Sequence, residues 1–229
     1  MTMRLGDRFR QIDKRRLRGA IGHCIGRIAA LAGAAGHIED APAAMASVLA
    51  GNLRAARAAG LPEAIIAPLE AALQAGLARL TPLLAARAAE GRIRRCHGDL
   101  HLGNLCLWQG KPTPFDALEF DEALARIDTG YDLAFLLMDL DQQAGRAAAN
   151  RALNRYLARS GDYGLLGPLP LWLAMRALVR AHVQAARGRD GTALLHAAQA
   201  YLAPAPPLLI AVGGLQGTGK STLARGLAP

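Results

Sequence analysis

In the stretch His97-Gly98-Asp99-Leu100-His101-Leu102-Gly103-Asn104-Leu105, an aspartate lies two positions after a histidine and five before an asparagine. The Asp99 carboxylate is suited to take the proton of a hydroxyl group. The side-chain oxygen of Asn104, on the same loop, is suited to hold a magnesium ion already bound to nucleotide phosphates. Together they point to phosphoryl transfer, which asks for little covalent chemistry from the protein and for accurate placement of base, metal and phosphate. Such a site still needs a further metal-binding carboxylate at the end of a nearby strand. Gly98 permits a tight turn just before Asp99. His101 either packs beneath the loop or faces the phosphates, and of the two the structural role is the expectation.

A second phosphate-handling pattern lies near the other end. Gly214-Leu215-Gln216-Gly217-Thr218-Gly219-Lys220-Ser221 fills every position of a P-loop, with Thr222 and a helical start after it and the apolar run 208–212, read as a buried strand, before it. Backbone N–H groups around Gly214, Gly217 and Gly219 are expected to cradle phosphates, with Lys220 reaching the terminal ones, Ser221 binding magnesium and Thr222 among the nucleotide-binding residues. ATP and Mg2+ are therefore the expected cofactors.

The elements that must carry these loops are mostly helical. Leu17, Ile21, Ile25 and Ile28 recur at helical spacing within residues 5–31, and a second helical pattern covers 45–58. A third covers 61–89 and contains Pro68 and Pro82, which predicts two helical pieces or one kinked helix. Gly91 ends that pattern, and 92–96 reads as a short extended lead into the Asp99 loop. Residues 105–108 and 113–115 flank Gln109-Gly110-Lys111 as a small hairpin that delivers Asp116. Asp128 is placed to cap a helix containing Asp132 to Asp141, and further helices are predicted over 147–158, 169–186 and 192–202. Pro204-Ala205-Pro206-Pro207 reads as a rigid linker and domain boundary.

Composition narrows the classes. The chain has 229 residues, 52% of them hydrophobic, enough for one sizeable core. No uninterrupted apolar stretch suits a membrane span, and no signal-type segment opens the chain, so the expected address is the cytoplasm. Cys24, Cys96 and Cys106 are too few and too scattered for a disulfide framework. The formal charge is +9, yet aromatics make up only 4%, which argues against nucleic acid as a partner. Against that basic background, eight acids (Asp116, Glu119, Asp121, Glu122, Asp128, Asp132, Asp139, Asp141) face one base, Arg126, a segment suited to metal ions or a cationic substrate.

His-Gly-Asp-Leu-His-x-Gly-Asn at 97–104 resembles the signature of the aminoglycoside phosphotransferase and choline kinase group. That resemblance implies a mainly α (α+β) fold, the carboxy-terminal lobe of a protein-kinase-like structure with a small β-hairpin. It makes Asp99 the catalytic base, Asn104 a metal ligand, and His97 a brace for the loop. Asp116 would be the second metal ligand, as in the kinase Asp-Phe-Gly segment. Ala117 departs from that pattern, which keeps Glu119, or Asp121, as a substitute. Ile127-Asp128-Thr129-Gly130-Tyr131-Asp132-Leu133-Ala134 resembles the family segment whose Asp steadies the catalytic loop, and this gives Asp132 a structural role. The run from Asp116 through Asp132-Leu-Ala, with the P-loop downstream, resembles bacterial fusions of a phosphotransferase domain with a P-loop ATP-binding domain. The implied organisation is a phosphotransferase lobe at 1–203, a linker at 204–207 and the first strand and P-loop of an incomplete α/β NTPase domain at 208–229.

Relative to that family both ends look truncated. Lys14, Lys111 and Lys220 are the only lysines, and none sits in a strand ahead of the loop, while Gly19, Gly22 and Gly26 fall in a helical pattern. The partners expected are a small-molecule hydroxyl substrate, a missing amino-terminal lobe and the remainder of the P-loop domain. One rival reading is a non-catalytic remnant or regulatory module. Another takes His97, Asp99 and His101, or Cys96, His97, His101 and Cys106, as a transition-metal site, which leaves Gly98, Gly103 and Asn104 unexplained.

Overall fold

A computed structural model describes residues 40–108, 111–118, 125–203 and 211–227. The helical pattern at 5–31, the linker 204–207, and Glu119, Asp121 and Glu122 lie outside the described residues.

The first described helix, α1 (Ala41–Ala58), starts four residues earlier than the apolar periodicity suggested. The Asp40 carboxylate accepts the Ala43 N–H at 2.9 Å, and a proline stands in the first turn, where its missing N–H costs nothing. Met45, Leu49, Leu53 and Ala56 form its buried stripe. The next helix, α2 (Glu63–Ala89), is continuous through both Pro68 and Pro82, so the two-piece alternative is overturned. Each interior proline costs about 3 kcal/mol. The buried stripe of Ile66, Leu69, Leu73, Leu77 and Leu84 runs past both prolines, and full burial of each such side chain returns about 1.5–3 kcal/mol. Packing therefore outweighs the two breaks.

Two short sheets follow. Strand β1 (Ile93–Arg95) leads into the Asp99 loop, and β2 (Leu105–Trp108) and β3 (Lys111–Pro114) form the expected antiparallel hairpin, Leu105 opposite Pro114 and Trp108 opposite Lys111. Strand β1 also pairs antiparallel with a fourth strand that no pattern announced, β4 (Arg126–Asp128), in the register Ile93 to Asp128 and Arg95 to Arg126. Asp128 thus ends a strand and at once caps helix α3 (Thr129–Ala144), its side chain accepting the Gly130 N–H at 2.8 Å. The β1–β4 pair sets the start of α3 beside the start of the Asp99 loop.

Helices α4 (Arg146–Ser160), α5 (Leu169–Ala186) and α6 (Thr192–Leu202) complete the core. Helix α5 is central, packed against α1, α3 and α6, and its Trp172 is fully buried. Gly130, in the first turn of α3, makes room for that ring: a Cβ there would lie 2.5 Å from Trp172 Cζ3. Gly130→Ala is expected to destabilise the fold by about 1–3 kcal/mol in urea unfolding. A change within about 0.5 kcal/mol, the range of ordinary surface substitutions, would show that Trp172 yields freely.

His182 on α5 contacts Asn52 Oδ1 on α1 at 3.3 Å, and burial holds its pKa below the ordinary histidine value. The unfolded chain therefore takes up this proton first as pH falls. The native state is expected to lose stability as pH drops below about 6.5, and to stop losing it once the folded value is passed. His182→Asn should flatten that part of the stability profile. An unchanged slope between pH 7 and 5 would assign it to other groups.

Residues 211–214 are not in a strand, although 208–212 reads as one, and 208–210 lie outside the described residues. A strand needs a ladder partner, and no other described strand pairs with this segment. Helix α7 (Lys220–Leu227) does begin at the P-loop lysine. Among the described residues, no helix is long and apolar enough to cross a membrane.

Candidate active site

Leu100 and Leu102 anchor the 97–104 loop, both with no exposed surface, so the residues between and around them are held at the surface of the core. Gly98 has φ +80°, and a Cβ there would lie 2.5 Å from Leu118 Cδ1, so both backbone and space demand glycine. The Asp132 carboxylate, in the first turn of α3, accepts the His97 N–H at 3.1 Å and the Gly98 N–H at 3.0 Å. Burial pushes its pKa up, against the pull of the Arg176 guanidinium, the nearby His97 and those two backbone donors. Two turns further along α3, the buried Asp139 accepts the Leu102 N–H at 2.9 Å and the Gln143 amide at 2.8 Å.

Asp99 and Asn104 are directly joined. The Asn104 amide nitrogen donates to both Asp99 O and Asp99 Oδ2, each at 2.9 Å. Two acceptors fix which end of the amide points to Asp99, so Asn104 Oδ1 is turned away from it, as a metal ligand must be. Burial alone would raise the Asp99 carboxyl. The nearby His101, the hydrogen bond from Asn104 and the charge of Arg176 outweigh that and hold it below the usual aspartate value.

The segment 115–118 is laced to this loop. Phe115 N–H donates to Asn104 O at 3.0 Å, His97 Nε2–H donates to Phe115 O at 2.9 Å, and Leu118 N–H donates to His97 O at 3.0 Å. Between them Asp116 adopts φ +63°, a left-handed conformation that aspartate tolerates better than most residues, and its side chain is exposed. The structure therefore brings together the loop with Asp99 and Asn104, the Asp116 backbone, His97 and Asp132. Glu119 lies outside the described residues.

Gly214, Gly217 and Gly219 lie on the separate segment 211–227, all at positive φ (145°, 83° and 80°). The Lys220 ammonium folds back onto Leu215 O, Thr218 Oγ1 donates to the same carbonyl at 2.8 Å, and Thr222 N–H donates to Gly219 O at 2.9 Å. Lys220, Ser221 and Thr222 form the first turn of α7.

Two buried arginines escaped the sequence reading. Arg87, 1% exposed, donates to Asp128 (2.8 Å through both Nε and Nη2) and to Asp162 (2.7 and 2.9 Å), with its guanidinium 5.3 Å from the centre of the Trp172 ring. Arg176, also buried, donates to Tyr131 O at 3.1 Å and lies over the rings of Tyr131 and Phe135 at 3.8 and 4.7 Å. The one sequence signal for Arg87 is a charge three residues after Leu84 on an otherwise apolar stripe.

The acidic segment is corrected accordingly. Asp128 pairs with Arg87, Asp132 and Asp139 hold backbone N–H groups, and Asp141 accepts from Tyr201 and Arg146. These four serve the protein itself rather than metal. The transition-metal alternative is also overturned: among the described residues, no group of three or more His, Cys, Asp or Glu is placed to hold a metal ion. Cys96 is buried with its thiol on Ile127 O, His97 Nε2 is taken by Phe115 O, and His101 Nδ1 by the Gly103 N–H.

Residues 6–178 match the model of the phosphotransferase enzyme family (APH). The chain is 38% identical over 154 residues to uncharacterized proteins of Mycobacterium tuberculosis and Mycobacterium bovis, covering 64% of this chain and 31% of theirs. It thus spans about a third of the length of the curated relatives it matches. In structure it is similar to glucosamine kinase, with a TM-score of 0.53 and 18% identity over 88% of this chain and 58% of that one, a likeness of fold. With the family model covering most of its length and the joined Asp99–Asn104 loop inside the match, this chain belongs to the phosphotransferase enzyme family.

Proposed function

We propose that this chain is the catalytic lobe of an ATP- and magnesium-dependent phosphotransferase that moves the terminal phosphate of ATP to a hydroxyl of a small molecule. The observation that carries the reading is the Asp99–Asn104 pair, in which one side chain is kept ionised while the other turns its carbonyl oxygen away from it. Asp99 orients the acceptor hydroxyl and receives its proton as the oxygen bonds to phosphorus and the bond to the departing ADP breaks. A low pKa suits this role, because a loose phosphoryl transition state needs the hydroxyl aimed more than it needs a strong base.

Asn104 Oδ1 and the exposed Asp116 carboxylate fit a magnesium ion, a hard cation that prefers oxygen ligands, and Glu119 is the second candidate. When bound, magnesium screens the phosphate oxygens and orients the terminal group. His97 and Asp132 keep Asp99 and Asp116 in register by bracing the two segments that carry them.

The finer reading concerns partners. The acceptor class is an aminoglycoside or amino sugar. The family resemblance supports the first, and the name of the structurally similar glucosamine kinase supports the second. Residues 208–229 belong to a fused P-loop ATP-binding domain in which Gly214, Gly217, Gly219, Lys220, Ser221 and Thr222 bind phosphates and magnesium. Support comes from the complete motif and from positive φ at the three glycines. A nucleotide-clamping amino-terminal lobe completes the enzyme, and its use of ATP assigns it to the cytoplasm.

The test is 31P NMR of the full protein with ATP, magnesium and a panel of amino sugars and aminoglycosides. Appearance of a phosphate monoester together with ADP is expected. Nucleotide binding without any ester across the panel would favour the rival reading, a regulatory module that does not transfer phosphate.

A further inference from the structure

His101 was expected to be structural, but its two ring nitrogens carry different duties. Nδ1 accepts the Gly103 N–H at 3.0 Å, which makes His101 the cap of the short 3-10 turn Leu102–Asn104. A nitrogen that accepts carries no proton, so the neutral ring must bear its hydrogen on Nε2. Nε2 faces Asp99 Oδ2 at 3.5 Å. The ring has little freedom to turn away. It meets Phe135 edge-on at 5.3 Å and 66°, and Phe135, 2% exposed, is held in turn by the Arg176 guanidinium.

Gly103 is part of the same device. A Cβ at position 103 would lie 2.7 Å from His101 Cε1 and 2.9 Å from Nδ1, so the imidazole occupies the space a side chain would fill. Asp99 Oδ2 thus faces two donors, the Asn104 amide at 2.9 Å and the His101 Nε2–H at 3.5 Å. Oδ1 is the oxygen that neither of them engages.

We propose that His101 is a positioning residue for Asp99: capping through Nδ1 fixes the tautomer, and the resulting Nε2–H holds Oδ2 so that Oδ1 is presented to the acceptor hydroxyl. The proposal rests on the phosphotransferase reading above. The 3.5 Å separation is long for a hydrogen bond and is the kind of contact that tightens when substrate closes the site.

Because the two duties sit on different atoms, two substitutions separate them. His101→Asn keeps an acceptor near the Nδ1 position and therefore the cap, but has no donor that reaches Asp99. His101→Gln carries its amide out to the Nε2 position and gives up the cap. In the full protein, His101→Asn should lower kcat about ten- to hundredfold with little change in KM for ATP. His101→Gln should have the higher kcat of the two and the lower melting temperature. The reverse order of kcat would mean that His101 only caps the turn, and would overturn the proposal.

A second readout is independent of turnover. In the 15N-histidine-labelled full protein, His101 should show a protonated Nε2 and an unprotonated Nδ1 at neutral pH. A proton on Nδ1 would overturn the proposal while leaving the phosphotransferase reading intact. Absence of any phosphate transfer by the unsubstituted protein would instead overturn the reading itself.

Discussion

Asp99→Asn in the full protein is expected to lower kcat by about 10²- to 10⁴-fold, the usual contribution of a positioned acid or base, with nucleotide affinity nearly unchanged. The substitution keeps the size of the side chain, and the backbone contact from Asn104 to Asp99 O remains, so the loop should hold its shape. What is lost is the negative charge facing the acceptor hydroxyl, and an amide neither takes its proton nor aims it in the same way. Loss of kcat and of kcat/KM for the acceptor in equal measure would identify an interaction made only in the transition state. Turnover within a factor of two of the unsubstituted enzyme would remove Asp99 from the mechanism.

The largest expected effect on stability comes from Arg87→Met. Its guanidinium holds Asp128 and Asp162 through hydrogen bonds of 2.7 to 2.9 Å, and the carboxyl side chains are 4% and 1% exposed. Desolvation already pushes the Asp128 carboxyl up, so removing Arg87 strands buried negative charge. Breaking a buried pair in this way costs about 3–5 kcal/mol, several times the worth of a surface pair. Urea unfolding with an unchanged m-value would measure it. Asp128→Asn and Asp162→Asn, added to Arg87→Met, should recover part of the loss, because the cost lies in the unpaired charges more than in missing attraction. A loss below about 1 kcal/mol, or no recovery, would show that water reaches the site.

Much of the helical scaffold was legible because it repeats. Helices α5 and α6 have the bounds read from their apolar periodicity, and the Asp128 cap of α3 was visible as an acid ahead of an apolar run. The first turn of α1 was not, because Ala41-Pro42-Ala43-Ala44 carries no contrast between faces, although Asp40 before it is a capping residue. Three-residue strands have no measurable period, so the β1–β4 pair was invisible.

The candidate site divides in the same way. Asp99 and Asn104 were legible because both lie in one short loop with a recognisable order. Arg87 was not, because its partners stand 41 and 75 residues away and nothing local announces them. Asp132 was legible as the brace of the loop, and it does accept the His97 and Gly98 N–H groups. Asp139 and Asp141 were legible only as charge, and charge counting does not distinguish a carboxylate that meets an ion from one such as Asp139 that accepts the Leu102 N–H. The tautomer of His101 likewise depends on a neighbouring N–H direction that no sequence pattern records.

The junction at Arg87 also bears on the order of events during synthesis and folding. Helix α2 leaves the ribosome long before Asp162 does, so for that interval Arg87 has at most one of its two carboxylates. We expect this long closure to delay the junction until after the main barrier, so that Arg87→Met raises the unfolding rate more than it lowers the folding rate; the opposite split would place the junction in the folding nucleus. The strength of a late junction appears mainly in how slowly the native chain comes apart rather than in how quickly it assembles. The Asp99 loop, tied to Asp132 one turn beyond Asp128, is expected to share that timing and to last as long as the junction holds.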